Sequence, residues 1–147
     1  MDITTKDYDD IKEILLEKGQ YAFVELHCEV KQNKDNTGNN LIIEAKFIGN
    51  PPLTTTSGGE VNYDGRTLRQ YVSLVRKDNY DPDIQVKRIA QACNYAGHGR
   101  IQLSDIDGKF CKIKIGINPA TDKYAESNSI AGYFPIKEED NFVPPAF

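Results

Sequence analysis

The chain contains no tryptophan, one methionine and only three cysteines. Cys28, Cys93 and Cys111 are widely spaced and odd in number, and no Cys-x-x-Cys pair occurs. Neither a disulfide framework nor a zinc site is therefore expected. His27 and His98 have no partner at ligand spacing. No run of about 18 apolar residues is present, so no membrane span is expected. The N-terminus also lacks the apolar centre of a signal peptide. Catalytic signatures are missing too: no Ser–His–acid set sits on a recognisable elbow, and no glycine-rich phosphate loop precedes a helix. These absences point to a non-enzymatic, intracellular protein with reduced cysteines and no cofactor.

Charge of either sign is modest overall, and the formal net charge is −4. That value alone argues against a nucleic-acid partner, but its distribution does not. Residues 1–18 hold six acids against three lysines, and residues 137–147 hold three acids against Lys137. Residues 62–118, in contrast, hold ten Lys and Arg against six Asp. Acidic ends flank a mildly basic centre, and local potential rather than net charge governs ligand attraction.

What the chain does have is alternation. Lys109 to Ile117 places Cys111, Ile113, Ile115 and Ile117 on one strand face and Phe110, Lys112 and Lys114 on the other. Residues 21–31 alternate as well, with Ala22, Val24, Leu26, Cys28 and Val30 apolar and Tyr21, Phe23, Glu25, His27 and Glu29 opposite. A polar turn over 33–40 leads to a strand over 41–48, which together read as an antiparallel hairpin. Residues 50–59 read as a mobile loop. Tyr63-Asp64-Gly65-Arg66 reads as a turn into a strand over 67–75, with Arg69 and Tyr71 on its outward face. Asp81 caps a helix opened by Pro82, expected over 83–96 with Gly97 ending it. A last strand is expected over 129–136, after a polar loop containing Lys123 and Tyr124. Thr5 to Lys18, with Tyr8, Ile11, Ile14 and Leu15 at helical spacing, reads as an N-terminal helix.

At 147 residues this is most simply one domain, over residues 1–136, followed by an acidic, flexible tail over 137–147. The expected fold is mainly β. It is a five-stranded OB-fold barrel with an N-terminal helix and a helix between strands 3 and 4. A flat α+β sheet fits the same string of elements.

Rings and cations share the outward faces: Tyr21 and Phe23, then Arg69 and Tyr71, then Phe110 with Lys112 and Lys114. Single strands are held by aromatic stacking along a cationic groove that tracks phosphates. Tyr21, Phe23, Tyr71 and Phe110 are therefore the candidate stacking residues, and Arg66, Arg69, Lys112 and Lys114 the candidate phosphate ligands. Tyr63, Lys123 and Tyr124 can extend the surface. The plain alternative is a solvated sheet face whose lysines keep the strands in water. Glu44-Ala45-Lys46 with Asp35 is the nearest enzymatic pattern, that of a metal-dependent nuclease. Glu-x-Lys is, however, common on exposed strands. The tail, with Glu138, Glu139, Asp140 and the final Phe147, suits a partner's apolar pocket ringed by cations. It can also lie in the protein's own groove, competing with phosphates.

Gly19-Gln20-Tyr21, Tyr63-Asp64-Gly65-Arg66, the helix from Ile84 to Gly97, the turn at Gly108-Lys109 and Tyr124…Ile130…Tyr133-Phe134-Pro135 together resemble phage-encoded single-stranded DNA-binding proteins of OB-fold type. The resemblance covers most of residues 8–136. The tail is similar to those by which bacterial and phage single-strand binders recruit replication and recombination enzymes. Here, though, Val143-Pro144-Pro145-Ala146 separates the acids from the last ring. The resemblance implies a sequence-nonspecific protein that protects and presents single-stranded DNA in the cytoplasm of an infected bacterial host, with no catalytic residues. A homodimer is compatible with it. The alternative is a phage-encoded protein-interaction module, an inhibitor or adaptor of a host protein, that binds no DNA.

Overall fold

Two-residue alternation sets the strands, and the computed structural model describes residues 1–5, 14–35 and 37–144. The strands are β1 (Tyr21–Gln32), β2 (Asn39–Phe47), β3 (Leu53–Thr54), β4 (Glu60–Val61), β5 (Thr67–Ser73), β6 (Phe110–Asn118) and β7 (Ser127–Phe134). One helix, α1 (Pro82–Ala92), lies between β5 and β6. Five strands form a single antiparallel sheet in the order β5-β2-β1-β6-β7. The other two make a small hairpin, β3 inside the stretch 50–59 expected to be a loop and β4 just after it, with Leu53 buried.

Register explains which residues become core. Val24 pairs with Phe47 on one side and Cys111 on the other, so apolar positions of β1, β2 and β6 fall on the same face. Leu26, Ile43, Ala45, Phe47, Ile113 and Ile115 are almost completely buried there. Each large apolar side chain so buried contributes about 1.5–3 kcal/mol. A bulge between Lys114 and Ile115 shifts the β6–β7 register, and such bulges bend a sheet and increase its twist. The outer edges, β5 and β7, consequently approach one another. Tyr133 on β7 donates its hydroxyl proton to the Gln70 side chain on β5. No backbone ladder joins those edges among the described residues, so the sheet curls without closing. The structure is mainly β with an open five-stranded sheet and one helix in place of the closed barrel expected.

The helix packs against β5 and β7 and buries Pro82, Ile89, Ala90 and Ala92. Asp81 caps it, its side chain accepting from the Asp83 N–H at 3.0 Å. It ends earlier than the expected Gly97, because Asn94 adopts φ +62, a left-handed conformation that asparagine tolerates better than most residues. The expected N-terminal helix falls largely on residues 6–13, outside the described residues. Its described end is not helical: Leu16 forms a bridge with Thr55 and is fully buried.

Three side-chain amides replace missing ladder bonds. Asn128 brackets the backbone of Leu16, Gln20 that of Thr54, and Asn50 that of Phe23, each donating and accepting once at 2.7–3.1 Å. The stretch after β2 is therefore pinned at Asn50. Cys28 and Cys111 are buried and Cys93 is half-buried, and all three are unbridged.

Candidate nucleic-acid interface

The outward face of the sheet divides into two halves. On β1, β6 and β7, Tyr21 lies opposite Lys114, Phe23 opposite Lys112, and Lys112 opposite Phe134. Tyr21 meets Phe134 edge to face, with centroids 5.5 Å apart, and the Lys112 ammonium sits 5.4 Å from the Tyr21 ring centre. Cation–π attraction holds such a pair together. Lys114 and, further across, Lys46 form no ion pair among the described residues. Tyr21, Phe23, Asn50, Pro51, Lys112 and Asp140 line a cleft of about 330 Å³.

Toward β2 and β5 the same face turns acidic. His27 lies opposite Glu44, which lies opposite Arg69; Glu29 lies opposite Ile42, which lies opposite Tyr71. Arg69 is held by Glu44 at 2.8 Å, and the hydrogen bond it donates to that carboxylate is the main cause raising its already high pKa. His27 is 2.8 Å from Glu25. Arg69 and Tyr71 thus share the sheet face with Tyr21, Phe23 and Phe110, but a band of Glu25, His27 and Glu44 separates them from the ring and lysine half. Tyr71 itself is well exposed.

Tyr63 belongs to the core, and the exposed Arg66 lies over its ring. Tyr63 is buried and stacks on Phe47 with centroids 4.7 Å apart, and the Arg66 guanidinium lies 5.2 Å from the Tyr63 ring centre. Both were expected at a binding surface. A tyrosine two residues before the turn glycine gave no sign that it would cover a phenylalanine in β2. Tyr124 is exposed in its loop, away from the described ring contacts.

The acidic segment does not hang free. Glu138–Asp140 makes one 3-10 turn in which the Asp140 carboxylate accepts from the Lys137 N–H at 2.8 Å. The Lys112 ammonium donates to both Asp140 oxygens, at 3.0 and 3.3 Å. The bond from the Lys137 N–H first, then those from Lys112, hold the Asp140 carboxyl below its usual range. Two residues on, the Phe142 ring lies 4.9 Å from that of Phe23 and 5.5 Å from that of Phe110. The flexible tail expected over 137–147 is thus packed through Phe142, while Glu138 and Glu139 remain exposed. Phe147 lies outside the described residues.

Sequence reasoning missed Phe134, Phe142 and Asn50 as parts of this site. Phe134 carried a misleading signal: alternation from the core-packed Ile130 would put it on the core face, and only the bulge in the β6–β7 pairing turns it outward. Phe142 and Asn50 carried none, because each reaches the site only through a tertiary contact. The nuclease pattern is not assembled: Asp35 is engaged by Thr37 in its own turn while Glu44 pairs with Arg69. Among the described residues no group of three or more His, Cys, Asp or Glu could hold a metal ion. No described helix is long and apolar enough to cross a membrane. No protein-family model matches the chain, and no curated protein matches it in sequence.

Proposed function

We propose that the protein binds single-stranded DNA without sequence preference, through the ring and lysine half of its sheet. The observation that carries this reading is the convergence of Tyr21, Phe23, Phe110 and Phe134 with Lys112 and Lys114 on adjacent strands. Rings of that kind stack on bases of any sequence, and the ammonium groups pair with phosphates between them. The fold is read as OB-type. Counted along the chain, the sheet strands run third, second, first, fourth, fifth, with α1 between the third and fourth. Partly open Greek-key barrels of that kind bind oligonucleotides, commonly over the face of their second and third strands; here the rings and lysines lie on the first, fourth and fifth. The role is then to protect and present single strands in phage replication or recombination, in the cytoplasm of an infected bacterium. Replication or recombination proteins are its partners through Glu138, Glu139, Asp140 and Phe147, and no catalytic residue is involved.

One observation favours a second reading, a protein-interaction module: the occupant of the face is a peptide segment, 140–142. Fluorescence polarisation of labelled oligo-dT and of a duplex separates the two. The first reading expects oligo-dT to bind, to bind more tightly than duplex, and to weaken steeply as salt rises. Equal or absent binding to both at low salt would end it.

A further inference from the structure

Past the end of α1 the chain runs on as Ala96-Gly97-His98-Gly99-Arg100. Gly97, His98 and Gly99 of this loop line a second cleft, of about 270 Å³, together with Lys87, Gln91 and Tyr95. It shares no lining residue with the cleft at Tyr21 and Lys112. Lys87 and Gln91 stand four residues apart on α1 and so lie on one side of it. The Tyr95 ring packs on the core, and the loop passes so close to it that a Cβ at Gly97 would stand 2.5 Å from its hydroxyl oxygen. Only glycine fits there, and the ring is held as a fixed part of the cleft.

The chemistry of this cleft suits an anion. No Asp or Glu occurs between Ile84 and Ser104, a stretch that carries Lys87, Arg88 and Arg100. None of these three cations takes part in an ion pair among the described residues, whereas Arg69, Arg76 and Lys112 all do. The backbone N–H groups of residues 96–101 donate no hydrogen bond among the described residues. Runs of backbone N–H groups of this kind cradle phosphate oxygens. A Cβ at Gly99 would meet nothing within 4 Å, so the space beside it is open. His98 adds a ring N–H donor. The C-terminal carbonyls of a helix repel an anion. Those of Ile89, Ala90 and Gln91 are already engaged by the N–H groups of Cys93, Asn94 and Tyr95.

We propose that this cleft binds the phosphate of a nucleotide, through the Lys87 ammonium and the N–H groups of residues 97–99, with the base against Tyr95 and its edge at Gln91. Its volume, about 270 Å³, lies just below the usual range for ligand clefts of about 300–1,000 Å³. It therefore takes one nucleotide at a time, free or as a member of a strand. The inference uses no residue of the ring and lysine half of the sheet, and it stands whether or not that half binds DNA.

The test follows the amide resonances of Gly97, His98 and Gly99 in the isotope-labelled full chain at constant ionic strength. Thymidine monophosphate should move them saturably and at lower concentration than inorganic phosphate, and thymidine should leave them in place. Lys87→Glu, at an exposed position, should keep the parent Tm and weaken the nucleotide about tenfold, the loss expected for one hydrogen bond to a charged group. Lys112→Glu with Lys114→Glu should leave these three responses intact. An oligo-dT lacking a terminal phosphate separates the two sources: resonances that it also moves assign the site to a strand, and resonances that it leaves in place assign it to a free nucleotide. Resonances that neither probe moves, or that sodium chloride moves equally, overturn the proposal. So does a Lys87→Glu chain with undiminished affinity. Inorganic phosphate binding as tightly as the nucleotide overturns the nucleotide assignment. Loss of the response in the Lys112→Glu/Lys114→Glu chain would put the ligand on the sheet face and overturn the second site.

Discussion

The Asn50 side chain brackets Phe23, accepting from its N–H at 2.7 Å and donating to its carbonyl at 2.9 Å. The same amide donates to Asp64 at 3.0 Å. At this point β2 has ended, so a side chain supplies the bonds a neighbouring strand would have made. Together with the Ile48 N–H, which also donates to the Phe23 carbonyl at 3.1 Å, it holds the Phe23 ring at the mouth of the cleft. Asn50→Ala leaves the Phe23 N–H without this partner, while the carbonyl keeps the Ile48 N–H, at a cost of about 1–3 kcal/mol. Thermal unfolding should show a lower Tm, while far-UV circular dichroism of the cold protein stays native.

The two halves of the sheet face should differ in what they contribute. Phe23→Ala removes a stacking platform, and each stacked base is worth about 1–3 kcal/mol. Tyr71→Ala, across the acidic band, should change oligo-dT affinity far less. Polarisation titrations of both variants at one salt concentration make the comparison, and equal losses would mean that the strand crosses the acidic band.

Charge reversal at Lys112→Glu with Lys114→Glu should spare folding, because neither side chain belongs to the apolar core. Oligo-dT affinity should collapse. The dependence of log affinity on log salt should also flatten by about 1.4, from roughly 0.7 per lost phosphate contact on single strands. A titration series across salt concentrations gives that slope directly.

Docking of the tail should respond to acid and be indifferent to pH near neutrality. The Lys137 N–H and then the Lys112 ammonium hold Asp140 below its ordinary value of 3.8. A carboxyl depressed in the docked state favours docking above its ordinary value. That contribution is lost as pH falls through the depressed one. The amide resonances of Asn141 and Phe142 should therefore move toward free-peptide positions only at strongly acidic pH.

The cysteines should react unequally. Burial first, then the nearby Asp107 charge, pushes the Cys28 thiol up to about 12. The hydrogen bond between Cys93 and Cys111 raises the second and lowers the first. The thiolate is the nucleophile. Brief alkylation of native protein with iodoacetamide should label Cys93 first, with Cys28 and Cys111 labelled only after unfolding, as peptide mass spectrometry would show.

The long strands were legible from the chain because their period is two and one face is buried. Cys111, Ile113 and Ile115 had to be core once Lys112 and Lys114 alternated with them, and the strands at 21–32 and 110–118 lie within a residue of where alternation put them. The helix was legible from Asp81-Pro82, though its end was not, because Asn94 stopped it before the more obvious Gly97.

What the sequence by itself determined was local: which positions alternate, which turn, and which face of each strand carries rings or charge. Only the tertiary structure decided which of those faces meet. Strand pairing put Tyr21, Phe23, Lys112 and Phe134 side by side but gave Arg69 to Glu44 and set it beyond an acidic band. It sent Tyr63 inward onto Phe47 and folded Asp140 and Phe142 back onto Lys112, Phe23 and Phe110. The physical reason is that register, charge pairing and the seating of a tail on a sheet depend on residues far apart in the chain. No periodicity within one segment records them.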